Sequence, residues 1–217
     1  YLDVAITAPH EPLKNLSSPI LFLSPEAIDT QEVEACTNRQ PTLVVAVDFL
    51  FWFCYGEGRT DAERAERFEV GLRLLDKIHC PLLVGDIPDA SIATNSGIIR
   101  PNQVPSTHAR DAANRRLREW AASRTNITIV PLDAFMTAVR ANTAIVGQNV
   151  SVAAGKTHSL LQKDRLHPSP TGAALLALGI LDAYVNVNPG HMEEIRWNLE
   201  EVKERGMNVA SPAKSAF

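Results

Sequence analysis

The apolar positions of the chain alternate between short continuous runs and stripes with helical spacing. Residues 43–47 and 81–85 are continuous apolar runs that lack polar alternation, as expected of strands buried on both faces of a sheet, and residues 127–130 predict a further strand. The stretches between them carry apolar residues every three to four positions, which is the pattern of amphipathic helices. This alternation predicts an α/β fold with a mostly parallel sheet.

Capping residues mark where two of the helices begin. Thr60 followed by Glu63 forms a capping box, which predicts a helix from about residue 60 to 77. Ser106 caps a second helix that ends near residue 123. The remaining predictions are a helix over residues 132–140, a hairpin or irregular excursion over 145–155, loops over 86–105 and 155–170, and a helix over 171–187.

Pro189 and Gly190 end the helical pattern and separate the C-terminal tail from the preceding helix. Residues 1–187 are therefore predicted to form one domain and residues 188–217 a C-terminal amphipathic helix with a frayed end. The apolar stripe of this helix is Met192, Ile195, Leu199 and Val202. It either docks on its own domain or offers a surface for a partner or for self-association.

The strongest chemical signal is Asp164, three residues before His167, on a loop that enters the last helix of the domain. This spacing can present both side chains to one pocket. The carboxylate then accepts the imidazole Nδ1 proton, which fixes the tautomer and leaves Nε2 as a general base. An isolated Asp-x-x-His also occurs as a surface contact, but its position after several strand–helix units favours the catalytic interpretation.

The segment Asp164-Arg165-Leu166-His167-Pro168, followed by a helix, resembles the last sequence block of the SGNH/GDSL family of serine hydrolases. The resemblance implies a three-layer α/β/α sandwich (SGNH/flavodoxin-like) over residues 1–187. It also implies ester hydrolysis by a Ser-His-Asp mechanism that needs no cofactor, with His167 and Asp164 as catalytic residues. No serine precedes Asn15, so the Gly-Asp-Ser block and the first strand are expected upstream of Tyr1.

Two further segments correspond to other blocks of that family. Asn15-Leu16-Ser17-Ser18 resembles the second block, so the backbone of Ser17 or Ser18 is the expected oxyanion donor there. The third block falls at residues 45–56, but its Gly-x-Asn-Asp is replaced by residues 47–52, which lack the Asn donor. Losing one such donor typically costs about 10²–10³ in rate.

Three aspartates follow the predicted strands, where ligands of parallel sheets bind. Asp48, Asp86 and Asp89 either shape this pocket or bond loop amides, as Asp does in many turns. Trp52 is the one aromatic residue of its run that is predicted to line a substrate pocket. The run consists of Phe49, Phe51, Trp52 and Phe53, and its alternate members are predicted to be core residues.

Composition narrows the classes of partner. The 217 residues carry a formal net charge of -4, which gives no electrostatic reason to expect nucleic acid or an anionic membrane. No continuous apolar run approaches the roughly 20 residues of a membrane span. Cys36, Cys54 and Cys80 are predicted to be buried free thiols, and the remaining histidines share no metal-ligand spacing.

Two classes of function are compatible with these patterns. The first is an esterase, lipase or carbohydrate deacetylase that acts on a small-molecule or glycan ester through a serine upstream of Tyr1. The second is a non-catalytic SGNH-like module that binds a glycan or a protein. A nucleotide-binding domain would need a Gly-rich phosphate loop after a strand, and the sequence has none. The compartment is left open.

Overall fold

Three parallel strands form the sheet of this mixed α/β protein. The computed structural model describes residues 1–18, 24–56 and 60–210. Strands β1 (Val44–Ala46), β2 (Leu82–Gly85) and β3 (Ile127–Val130) pair in parallel in the order β1-β2-β3. The predicted parallel α/β arrangement is therefore confirmed at this level.

Helices connect the parallel strands, and further helices follow them. The helices are α1 (Leu2–Ala5), α2 (Pro25–Thr37), α3 (Phe51–Cys54), α4 (Asp61–Leu75), α5 (Thr107–Ala122), α6 (Leu132–Ala141), α7 (Pro170–Val187) and α8 (Leu199–Ala210). Strands β4 (Ile145–Val146) and β5 (Ser151–Val152) form the predicted hairpin. The predicted caps are also present, since Thr60 and Glu63 make both bonds of a capping box and the Ser106 side chain accepts from the Ala109 amide.

Burial on both faces is confirmed for β2 but is wrong for β1. All four residues of β2 are buried. Val45, at the middle of β1, is exposed, and Val44 and Ala46 are half-buried. Among the described strands β1 is at the edge, so only one neighbouring strand shields it.

The chain groups into two compact units, and the division falls within α6. The terminal unit comprises Tyr1–Leu13 and Ala138–Phe217, and the central unit comprises Lys14–Thr137. The sheet of β1 to β3 belongs to the central unit, and the hairpin, α7 and α8 belong to the terminal unit. The predicted division into residues 1–187 and 188–217 is a different one and stays a prediction.

The tail docks within the terminal unit, but its helix starts later than predicted. Residues 189–194 form a 3₁₀ turn, and Ile195 pairs in antiparallel fashion with Ile6. Because the backbone around Ile195 bonds to Ala5 and Thr7, it cannot continue a helix there, and α8 begins only at Leu199. Val202 is fully buried, and α8 packs on α7 and α1. Self-association stays a prediction, and the end from residue 211 lies outside the described residues.

Helices α2 and α3 have no counterpart in the sequence predictions. Helix α2 buries Pro25, Asp29 and Val33, so a carboxylate interrupts the apolar stripe that would have revealed it. Helix α3 is a single turn that follows the predicted strand at residues 43–47. It buries Phe53 and Cys54, and burial raises the pKa of the Cys54 thiol to about 12.

Helix α7 is the one described helix whose length and composition would allow it to cross a membrane. Half of it is buried inside the protein, and the core helices of soluble proteins have the same length and composition. The prediction that no segment spans a bilayer considered only continuous apolar runs, and it stays a prediction.

The capping box gives a direct test of the local structure. Replacing Thr60 with Ala removes the acceptor for the Glu63 amide, so we expect the free energy of unfolding to fall by about 1 kcal/mol. The matched control is Thr30→Ala within α2, where the hydroxyl donates to the Glu26 carbonyl. Because Ala is the better helix former, Thr30→Ala is expected to be neutral or slightly stabilising. Urea unfolding measures both, and an equal loss in the two variants would contradict the capping role.

Candidate functional site

Asp164 and His167 form a hydrogen-bonded pair in the terminal unit. His167 Nδ1 lies 2.9 Å from Asp164 Oδ2, a distance at which a protonated Nδ1 donates to the carboxylate. The imidazole is 57% exposed and the carboxylate 22% exposed. In the part of the chain that the structure describes, no residue bonds to Nε2, so this nitrogen is left without a partner while Nδ1 is engaged.

The second oxygen of Asp164 organises the turn that carries the histidine. Asp164 Oδ1 accepts the amide of Leu166 at 2.9 Å and that of His167 at 3.0 Å. Partial burial opposes ionisation of the carboxyl group, but the two amides and the imidazole outweigh it and lower the pKa of Asp164 below its ordinary value. The side chain that binds the ring therefore also fixes the backbone on which the ring is mounted.

Asp164 and His167 both lie on a loop that is closed at its two ends by hydrogen bonds. Leu161 and Pro168 form an antiparallel bridge, and the Gln162 amide donates to the His167 carbonyl at 2.8 Å. Gln162 Nε2 donates to the Pro168 carbonyl at 3.0 Å. Arg165 adopts φ of 61°, the left-handed conformation that lets the chain reverse between the two ends. The His167 backbone is thus held from both sides.

Helix α7 anchors the carboxyl-terminal end of this loop. Ser169 caps the helix by accepting the Gly172 amide, and its hydroxyl donates to the Ser159 carbonyl at 2.7 Å. The Ser169 amide donates to the Leu160 carbonyl at 2.8 Å. Gly172 makes this packing possible, because a Cβ there would lie 1.8 Å from the Leu160 oxygen.

The described part of the terminal unit holds two other His–carboxylate pairs. His191 Nδ1 lies 2.7 Å from Glu194 Oε2, also at a spacing of three residues. His10 Nε2 lies 3.4 Å from Asp3 Oδ1. A paired imidazole is therefore not by itself distinctive here. The Asp164–His167 pair differs in that its carboxylate also binds the amide of the histidine.

Ser17 and Ser18, the predicted oxyanion donors, form hydrogen bonds with side chains of the central unit. Asn15 Oδ1 accepts both the Ser17 amide at 3.0 Å and the Ser17 hydroxyl at 2.7 Å. The Ser18 amide donates to Glu32 of α2. Both amides thus have partners within the chain, and a role for either in binding an oxyanion stays a prediction.

Beneath this segment lies a carboxyl cluster that the sequence analysis did not identify. Asp29 is fully buried, and its carboxyl group lies against that of Glu32, to which it is hydrogen-bonded when Asp29 holds a proton. Burial, followed by the nearby charges of Glu32 and Asp48, raises the pKa of Asp29 to about 8. Burial also raises the pKa of Glu32. A buried carboxyl group with carboxylate neighbours is stable only when it holds a proton, so Asp29 is neutral at pH 7. Asp48 itself is exposed.

Asp86 and Asp89 bond backbone amides, as the structural interpretation of them predicts. Asp86 Oδ1 accepts the Asp133 amide at 2.8 Å, and burial raises the pKa of Asp86. Asp89 accepts the Ser91 amide and pairs with Arg110. The Tyr55 hydroxyl braces the same loop, donating to the Pro88 carbonyl and accepting the Ala90 amide. A contribution of either aspartate to a substrate pocket stays a prediction.

The aromatic run is divided between the core and the half-buried surface. Phe49 and Phe53 are buried with their rings 5.7 Å apart, as predicted for the alternate members. Trp52 is half-buried and packs edge-on against Phe51 at 5.1 Å. Its partial exposure is compatible with lining a pocket, and that role stays a prediction.

Comparisons with known proteins do not assign the chain to a family. No protein-family model matches it, and neither a curated protein nor a solved structure does. The resemblance to SGNH/GDSL hydrolases therefore stays a prediction. Within the described residues, no group of three His, Cys, Asp or Glu side chains is arranged to hold a metal ion.

Gly172 provides a test of how the histidine loop is held. Gly172→Ala places a Cβ against the Leu160 oxygen, so we expect the free energy of unfolding to fall by about 1–3 kcal/mol and the His167 amide resonance to move. Gly179→Ala, in the same helix with open space around the new Cβ, is expected to be neutral or to stabilise by up to about 1 kcal/mol. Urea unfolding and amide NMR measure the two effects. Equal stability of the two variants would contradict the packing described.

Asp29 provides a test through the pH dependence of stability. The folded protein keeps a proton on Asp29 up to about pH 8, whereas the unfolded chain releases it near the ordinary value of 3.8. The free energy of unfolding should therefore fall as the pH rises from about 4 to 8, by an amount on the order of a few kcal/mol. Asp29→Asn should remove this part of the slope. Glu34→Gln, on the exposed side of α2, should keep the wild-type slope, and an unchanged slope in Asp29→Asn would count against the buried proton.

Proposed function

We propose that the chain carries the general base and the orienting carboxylate of a serine ester hydrolase with a three-layer α/β/α fold of the SGNH/GDSL type. His167 is the base, Asp164 orients it, and the attacking hydroxyl comes from a serine upstream of Tyr1. The observation that carries the proposal is the 2.9 Å contact between His167 Nδ1 and Asp164 Oδ2 on an exposed imidazole, whose Nε2 has no partner among the described residues.

The geometry suits proton transfer in both directions. As the serine oxygen attacks the acyl carbon, His167 Nε2 takes the hydroxyl proton, and Asp164 stabilises the resulting imidazolium through Nδ1–H. The imidazolium then gives that proton to the departing alcohol oxygen, leaving an acyl-serine. Water repeats the sequence: it loses a proton to Nε2, attacks the acyl carbon, and releases the acid as the serine recovers its proton.

The low pKa of Asp164 supports this role. A carboxylate that stays ionised well below pH 7 binds Nδ1–H throughout the cycle, so Nε2 is the nitrogen that exchanges protons. The closed loop supports it as well, because a ring fixed at its backbone loses less conformational freedom in the transition state. The substrate class that fits is a small-molecule or glycan ester.

A non-catalytic binding module is the second candidate, and the engagement of the Ser17 and Ser18 amides favours it. Those amides already bond Asn15 and Glu32, and residues 47–52 lack the family's Asn donor. An esterase without an oxyanion site would be slow. A module that binds a glycan or a protein has no such requirement.

Activity-based labelling of the full gene product separates the two. The protein is treated with a fluorophosphonate, the modified residue is located by mass spectrometry, and hydrolysis of 4-nitrophenyl acetate is followed. We expect stoichiometric labelling of one serine. We also expect His167→Ala to abolish it and to lower kcat/KM by about 10³-fold or more.

The matched control is His191→Ala, which removes the other imidazole that pairs with a carboxylate three residues away. We expect this variant to keep labelling and turnover within about twofold, because only His167 acts as the base. A full-length protein that neither labels nor turns over the ester would contradict the proposed function. Equal losses in the two variants would contradict the assignment of His167.

A further inference from the structure

Some lysine and arginine side chains of the terminal unit form ion pairs with carboxylates, and others do not. Of its seven lysines and arginines in the described residues, three on or beside α8 form ion pairs: Arg196 and Arg205 with Glu201, and Lys203 with Glu200. Arg140 is also engaged. Within the described part of the unit, three side chains make no ion pair or hydrogen bond: Lys156, Lys163 and Arg165.

All three of these cations lie on the segment that leads to His167, and all three are exposed. The acidic side chains of residues 138–187 do not balance them. Asp182 is buried and bonds the amides of Gln148 and Asn149, and Asp164 bonds the turn and the imidazole. The segment that carries the candidate base thus bears more exposed cations than carboxylates, in a chain whose net charge is -4.

Two of these cations, Lys163 and Arg165, lie on the same closed loop as the base. Arg165 is two residues from His167, so their Cα atoms lie no more than about 7 Å apart, and the flexible Arg165 side chain can bring its charge within the Debye length of about 8 Å at physiological salt. Lys163 lies in the same loop, which the Leu161–Pro168 bridge closes. An unpaired cation attracts an incoming anion with its full charge. The field of an ion-paired cation is largely cancelled by the charge of its carboxylate partner.

We propose that Lys163 and Arg165 make the site selective for esters that carry a negative charge near the scissile bond. This inference rests on the proposed esterase function and specifies its substrate class. The two side chains attract the anionic part of the substrate while His167 Nε2 exchanges the proton. Because the cations are exposed, the selectivity appears mainly in kcat/KM and weakens as salt is added.

The test compares two acetate esters on the full gene product. One is anionic, 4-acetoxybenzenesulfonate, and the other is neutral and of similar size, 4-acetoxyphenyl methyl sulfone. Release of the phenol is followed by absorbance at low and high salt. In the double variant Lys163→Gln/Arg165→Gln, we expect kcat/KM for the anionic ester to fall about fivefold at low salt, and that for the neutral ester to stay within about twofold.

The matched control is Lys203→Gln/Arg205→Gln, which removes the same charge from α8, where both side chains are ion-paired. It should leave both esters unaffected. Equal losses for the anionic ester in the two double variants, or a loss for both esters in Lys163→Gln/Arg165→Gln, would overturn the proposed selectivity while leaving the esterase function in place. Turnover of neither ester by the wild-type protein would contradict the esterase function, and this inference with it.

Discussion

One carboxylate governs the geometry of the candidate site. Asp164 binds the amides of Leu166 and His167 with one oxygen and the His167 ring with the other. A side chain that holds both the backbone and the ring of the same histidine leaves that ring few alternative orientations. The same three bonds stabilise the charged form of the carboxyl group, so orientation of the ring and ionisation of its partner have a common origin.

The rest of the terminal unit keeps this turn in place. The loop is closed by Gln162 and by the bridge at Leu161, and Ser169 ties it to the first turn of α7. Gly172 allows the Leu160 carbonyl to approach that turn closely. The exposed ring of the histidine is therefore carried by a loop that is anchored to the start of a helix, half of which is buried.

Sequence patterns predicted the elements whose physics is local. The Thr60–Glu63 capping box, the Ser106 cap and the Asp164–His167 pair all depend on residues within a few positions of one another. Features that depend on distant partners were missed. Helix α2 was missed because the buried Asp29 interrupts the apolar stripe by which a helix is recognised. Ile195 is extended because it pairs with Ile6. The exposure of Val45 likewise depends on which strands flank β1.

The tautomer of His167 tests the central claim most directly. Long-range ¹H–¹⁵N correlation spectra of the imidazole, recorded near pH 8 with the other histidines assigned by substitution, distinguish protonation at Nδ1 from protonation at Nε2. The bond to Asp164 predicts a neutral His167 protonated at Nδ1, and a shift of the population towards Nε2–H in Asp164→Asn. A wild-type ring protonated mainly at Nε2, or one indifferent to the Asn substitution, would contradict the account.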